Sequence, residues 1–247
     1  MNEAIEKLLN RTSVRHYIDD YELSLHHKEL IIRAAKQAPT WMNGQNYSMI
    51  LFEGNMKDRL CEMLDEIGQT SNSKLINQSS LFILFCMDYH MYTVDNAVFD
   101  FTDEVEPIII STTDLSLAAE NAVIAAESLD LGSCIVGGVR RLAKELIEMF
   151  KMPEYMYPLM GLAIGKPSKE KQKPKPRLDD AINVFQAEQF QVKRTAEDIN
   201  RYFDNLKVYA QHNNYKTSNW LERFETYYGE NKYSNDTKKL LKQQKLI

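Results

Sequence analysis

The chain holds only three cysteines, nine glycines and five histidines in 247 residues. Cys61, Cys86 and Cys134 are odd in number and too widely spaced for a Cys-x-x-Cys metal or redox pair, so a reduced compartment suits them. The histidines, His16, His26, His27, His90 and His212, form no ligand spacing, and neither His-Glu-x-x-His nor Gly-x-Ser-x-Gly occurs. No metal centre and no hydrolase signature are therefore expected. Gly132 to Gly138 lacks the lysine and Ser/Thr of a phosphate loop, and no Gly-x-Gly-x-x-Gly is present, so a dinucleotide-binding Rossmann domain is not indicated.

Positive charge is not in excess either. Thirty basic residues against 35 acidic ones give a net charge of −5, interspersed along most of the chain, which disfavours nucleic acid as a partner. The longest basic stretch, 166–177, is broken by proline, serine, glutamine and glutamate. No apolar run approaches the roughly 20 residues that cross a bilayer, and the opening Met-Asn-Glu-Ala-Ile-Glu-Lys lacks the basic-then-apolar order of a signal peptide. A cytoplasmic protein without a membrane partner is the expectation.

What the chain does have is apolar content, 44% of positions, enough for one substantial core. Helix-like and strand-like segments alternate, which favours a layered α/β or α+β architecture. Residues 3–9 and 27–37 carry helical spacing, the second ending near Pro39. The runs 48–52, 81–87, 134–136 and 159–164 read as short buried strands. Between the second and third of them, 115–131 is apolar nearly all round and alanine-rich, a buried central helix that Gly132 is expected to close. The organisation expected is a single domain over 1–247, with residues 195–247 as a helical C-terminal extension.

Three segments could carry chemistry. Arg11, Ser13 and Arg15 recur at every second position, so an extended backbone sends two guanidiniums and a hydroxyl to one face. That set suits a phosphomonoester, because guanidiniums bind it bidentately and the hydroxyl fills a further acceptor site; a solvated basic edge is the plainer alternative. In Pro174-Lys175-Pro176-Arg177 the prolines stiffen the backbone and hold two cations extended, a site for an anion or an exposed linker. Gly137-Gly138, directly after a strand, allows main chain to approach a flat ligand with no Cβ in the way, or makes a tight turn.

Taken in order, Arg11-Thr12-Ser13-Val14-Arg15, the loop Ala38 to Gln45, Gly68-Gln69, Ala125 to Gly132 followed by Gly137-Gly138, and Lys175-x-Arg177 resemble the FMN-dependent nitroreductase family. The likeness covers about residues 4–180 and is greatest to the subgroup of NADPH-linked flavin oxidoreductases and oxygen-insensitive nitroreductases. It implies a nitroreductase-like α+β fold, a central mixed sheet flanked by helices, in a homodimer with FMN at the subunit interface. By the same matching, Arg11, Ser13, Lys175 and Arg177 would hold the phosphate and Arg15 would reach toward the flavin. Thr40, Trp41, Met42, Asn43 and Gln45 would border the cofactor, Gln69 would bond to it, and Val136, Gly137 and Gly138 would approach its ring.

The activity so implied is ping-pong hydride transfer from NAD(P)H, with NADPH favoured, to a small-molecule acceptor: a nitroaromatic, a quinone or free flavin. The hydride chemistry would belong to the flavin, so no side chain is expected to act as catalytic acid, base or nucleophile. The sequence departs from the family pattern at Thr12, where arginine is common, at 39–43, which replaces a serine-rich loop, and at Tyr215-Lys216, where arginines are usual. Lys216 is the candidate contact to an NADPH 2′-phosphate, and NADH use stays open. A flavin-binding storage or regulatory protein without nicotinamide turnover is the alternative reading.

Overall fold

A computed structural model describes residues 2–94, 97–170, 172–192, 194–213, 220–229 and 236–247. Tyr215 and Lys216 lie outside the described residues. The chain divides into two compact units, Met1–Lys171 with Ser234–Ile247, and Gln172–Tyr233. Residues 234–247 belong with the first unit by this division.

In the first unit, helix α1 (Glu3–Asn10) starts at Asn2, whose side chain accepts from the Ala4 N–H. Helix α2 (Leu25–Lys36) is capped by the Ser24 hydroxyl, which accepts from the His27 N–H at 3.2 Å. Strand β1 (Tyr47–Phe52) follows, then helices α3 (Gly54–Glu66) and α4 (Thr70–Gln78), strand β2 (Leu81–Asp88) and a short helix α5 (His90–Thr93). The long helix α6 (Glu106–Ser128) leads to strand β3 (Gly132–Val136), helix α7 (Ala143–Phe150) and strand β4 (Met156–Gly165).

The four strands form one sheet in the order β1-β2-β4-β3, and all three ladders are antiparallel. The mixed character expected of the sheet is reduced to one isolated parallel bridge, Ser13 to Ser133. Every residue of β2 is buried, because the sheet is covered on both faces. Ile83, Phe85 and Met87 join Ile31, Ala35, Leu115, Ala118 and Ala122 of α2 and α6 on one side. Phe82, Leu84 and Cys86 join Leu60, Leu64, Leu75, Ile76 and Leu146 of α3, α4 and α7 on the other. A strand sandwiched in this way reads as a continuous apolar run rather than an alternation. Each such side chain contributes about 1.5–3 kcal/mol relative to exposure.

Helix α6 begins nine residues earlier than its apolar spacing suggests, and Pro107 sits in its first turn, where a missing N–H is harmless. In length and composition this helix could cross a membrane. Here its alanine face packs on α2, with the Asn121 side chain donating to the Ala34 carbonyl at 3.0 Å, and it carries the buried acids Asp114 and Glu127. Gly132 does not close it. The helix stops at Ser128, the left-handed residue that turns the chain is Asp130 (φ 56°), and Gly132 opens β3.

The second unit contains helices α8 (Asp180–Asn183), α9 (Ala196–His212) and α10 (Trp220–Tyr228). A capping box starts α9: the Thr195 hydroxyl accepts from the Asp198 N–H while the Asp198 carboxylate accepts from the Thr195 N–H. Helix α11 (Thr237–Gln243) belongs again to the first unit and contributes Leu240, Leu241 and the following Leu246 to its core.

Candidate active site

Residues 11–17 cross from β3, which they bridge at Ser13–Ser133, to the segment after β4, where Tyr17 bridges Pro167. Arg11 has φ −62° and ψ 131°, Ser13 bridges Ser133, and the Val14 N–H donates to the Ser133 carbonyl at 2.9 Å. Arg11, Thr12 and Ser13 are half-buried, Val14 is buried, and Arg15 and His16 are exposed; the expected alternation breaks at Tyr17, which is in phase with Arg11, Ser13 and Arg15 yet buried. Tyr17 fixes the far end. Its hydroxyl, fully buried, lies 2.9 Å from the Val14 carbonyl and 3.2 Å from that of Ala163, and burial pushes its pKa far up. Sequence reasoning gave Tyr17 no role, although a lone aromatic within a polar run was visible.

Beyond Val136 at the end of β3, Gly137–Leu142 forms a 3₁₀ turn. Gly138 is buried, and a Cβ there would lie 2.2 Å from Nδ2 of Asn72 and 3.4 Å from Oε1 of Gln69. Asn72 Nδ2 donates to Gln69 Oε1 at 3.1 Å, so these two side chains meet the glycine backbone as a pair. Gln69 sits where α4 begins, just after Gly68 at φ 72°. The strip along β3 thus has two separate ends: Arg11, Ser13 and Arg15 around the Ser133 bridge near its start, and Val136, Gly137 and Gly138 with Gln69 beyond its end. Asn72 belongs to that strip and was missed, since nothing in a Thr-Ser-Asn-Ser helix start marks it out.

The loop Thr40 to Gln45 lies elsewhere. It precedes β1, the opposite edge strand, and three strand spacings of about 4.8 Å put it roughly 14 Å across the sheet from β3. Within the loop Met42, Asn43 and Gln45 all have positive φ (49°, 55° and 53°), while Trp41 and Met42 are 57% and 80% exposed. The Gln45 N–H donates to the Thr40 hydroxyl at 3.2 Å. Gln45 also borders a cleft of about 360 Å³ that runs beside β1, lined by Ile32, Lys36, Tyr47, Ser48, Met49, Leu51 and Met91.

Lys175 and Arg177 belong to the second unit, in a stretch without helix or strand; Lys175 is half-buried and Arg177 exposed. That stretch is tied to α9. Tyr209 donates to the Lys173 carbonyl at 2.9 Å, Gln172 donates to the Asn213 carbonyl at 3.1 Å, and Arg201 pairs with Asp179 at 2.9 Å. Arg140 and Arg141 lie in the 3₁₀ turn before α7, and the Arg140 guanidinium donates to the Leu159 carbonyl at 3.0 Å. Cys61, Cys86 and Cys134 are buried, and burial raises the pKa of Cys61 to about 11 and that of Cys86 further. Such thiols are poor nucleophiles at neutral pH.

These features define an α+β protein with an antiparallel sheet between two helical layers and a cationic, glycine-bearing strip on one sheet edge. The chain belongs to the Nitroreductase family, whose model it matches over residues 8–166. It is 31% identical over 236 residues to an FMN reductase (NAD(P)H) of Bacillus subtilis, covering 92% of each chain. It is 30% identical over 189 residues to the oxygen-insensitive NADPH nitroreductase of Salmonella typhimurium, covering 75% of this chain and 74% of that one. The structure of B. megaterium NfrA2 superposes with a TM-score of 0.86 at 31% identity, covering 99% of this chain and 98% of the other.

Proposed function

We propose that the protein is an FMN-dependent oxidoreductase that takes hydride from NAD(P)H, NADPH preferred, and delivers it to a small acceptor such as a nitroaromatic, a quinone or free flavin. The observation that supports this reading is the Arg11-Ser13-Arg15 segment, which bridges β3 at Ser133 and leaves two guanidiniums and a hydroxyl at least partly accessible to solvent. The donor set suits FMN. Planar guanidiniums and a serine hydroxyl match a terminal phosphate. The names of the relatives, an FMN reductase and an NADPH nitroreductase, agree with it.

In this reading Arg11 and Ser13, with Lys175 and Arg177 assigned by resemblance, hold the phosphate, and Arg15 offers positive charge toward the ring. Val136, Gly137 and Gly138 line one ring edge and Gln69 presents an amide to it; Thr40, Trp41, Met42, Asn43 and Gln45 border the cofactor. FMN when bound supplies the hydride relay, which is why no catalytic acid, base or nucleophile is assigned to the chain. Residues 1–247 then act as one nitroreductase domain, with Lys216 toward an NADPH 2′-phosphate.

A homodimer is part of the proposal. The loop before β1 and the strip along β3 sit on opposite edges of one sheet, and two chains can set the loop of one against the strip of the other. Ile5, Leu8 and Leu9 of α1, each half or more exposed, provide apolar surface for that contact. The buried thiols of Cys61 and Cys86 suit a cytoplasmic setting.

The test is the anaerobic visible spectrum of FMN-reconstituted protein before and after NADPH and, separately, NADH. Bleaching by either donor supports the enzyme, and parallel double-reciprocal lines against an acceptor support a single shared site. A flavin band that dithionite bleaches and neither donor does would instead indicate a storage or regulatory protein.

A further inference from the structure

Three residues of the Thr40–Gln45 loop adopt a left-handed backbone that only glycine takes without steric cost, and none of the three is glycine. Gly44, the loop's one glycine, has φ −70° and serves another purpose: a Cβ there would lie 2.8 Å from the Tyr92 hydroxyl and 2.9 Å from Nδ2 of Asn46. The loop's shape must then be imposed from outside it.

Two side chains, the buried Asp114 and the half-buried Tyr92, are placed to do so. Asp114 of α6 is 2% exposed and accepts three hydrogen bonds that bracket the left-handed run. The Trp41 N–H donates to Oδ1 at 2.9 Å, while the Asn46 N–H (3.3 Å) and Asn46 Nδ2 (2.8 Å) donate to Oδ2. Tyr92 enters from the other side, its hydroxyl within reach of both the Gly44 carbonyl and Asn46 Oδ1. Ser111, one turn before Asp114 on the same helix face, donates to the Asn46 carbonyl. Tyr92 is held in turn by edge contacts to Phe99 within a cluster that includes Tyr89, Phe101 and Tyr155.

We infer that Asp114 and Tyr92 are positioning residues for the flavin site: together they clamp the 41–45 loop in the conformation that holds Trp41 and Met42 outward as an apolar pair against the cofactor. This rests on the FMN reading above. Neither residue touches the strip along β3, so their effect on FMN travels only through the loop. With the clamp removed, the left-handed residues relax toward ordinary backbone angles, and the loop presents different groups to the flavin.

The test compares wild type with Asp114→Ala, Asp114→Asn and Tyr92→Phe, using FMN titration by fluorescence quenching and the visible circular dichroism of bound flavin. Far-UV circular dichroism confirms that each variant is folded, and Tyr92→Phe, which removes one hydroxyl, secures a folded case. The expected result is FMN binding at least tenfold weaker in Asp114→Ala, with an altered flavin dichroism band. Asp114→Asn recovers part of both, since its amide oxygen still accepts from Trp41 or Asn46, and Tyr92→Phe falls between. Variants that match wild type in affinity and dichroism overturn the clamp and leave the flavin reading intact. A wild-type protein that takes up no FMN overturns the flavin reading and the clamp with it.

Discussion

Val14 lies against the α-carbon of Gly132 so closely that a methyl group at 132 would sit 2.6 Å from its Cγ2, 2.7 Å from its Cβ and 2.8 Å from its Cγ1. Because all three atoms crowd the position, no rotation of the valine relieves the clash; only a backbone shift of the 13–14 segment does. That segment carries Ser13 on its bridge to Ser133. Gly132→Ala is expected to destabilise the fold by about 1–3 kcal/mol, as overpacking does. Thermal unfolding would show a fall of roughly 2–4 °C for each kcal/mol. FMN affinity should drop in the same variant, measured at a temperature where it remains folded.

The phosphate assignment makes a selective prediction. Removing one charge-assisted contact costs about 1.5–3 kcal/mol, so Arg11→Ala should weaken FMN binding by roughly 10- to 100-fold. Riboflavin, which lacks the phosphate, should bind wild type and variant alike. Equal losses for the two ligands in parallel titrations would place Arg11 away from the phosphate.

Leu246, one residue from the end of the sequence, is fully buried, and the Leu246 N–H donates to the Leu241 carbonyl at 2.9 Å after a left-handed Lys245 (φ 52°). Its place is with Leu240 and Leu241 in the core of the first unit. Leu246→Ala is expected to cost about 2–5 kcal/mol, the range of buried leucine truncations. Urea unfolding should register it as a lower midpoint; a midpoint equal to that of wild type would mean the terminal segment does not pack as described.

Alkaline pH should weaken the fold through Cys61. Burial, the largest cause, raises its thiol from the ordinary 9.0 to about 11, with a lesser opposing effect from a hydrogen bond with the Ser73 side chain. A raised thiol pKa means the folded state binds the proton more tightly than the unfolded one. The associated stability is fully present below pH 9 and is lost as pH rises through about 11. Urea midpoints measured from pH 8 to 11 should fall more steeply for wild type than for Cys61→Ala.

Much of the frame was legible in the chain itself. The run Leu81 to Met87 is apolar at every position because β2 is covered on both faces, and the alanine-rich 115–131 stretch gave the buried part of α6. The spacing of Arg11, Ser13 and Arg15 at every second position was legible as well, but the period of two breaks at Tyr17, which is in phase with them and buried. Helices α3 and α4 were less visible: their buried positions are few and set among charged or small polar residues. The start of α6 was missed for a similar reason, since several residues of its first turns face outward.

Residue type and spacing are local properties, and they determined the strands, the central helix, the polar strip and the family. Only the tertiary structure decided what depends on partners far away in the chain. Asp114 reads as one acid in an apolar helix, yet it holds backbone 68 and 73 residues earlier. Gly138 reads as turn punctuation until Asn72 and Gln69 are packed against it. That the 40–45 loop and the β3 strip occupy opposite edges follows from strand order, which hydrogen-bonded pairing across the whole sheet fixes and no single segment encodes.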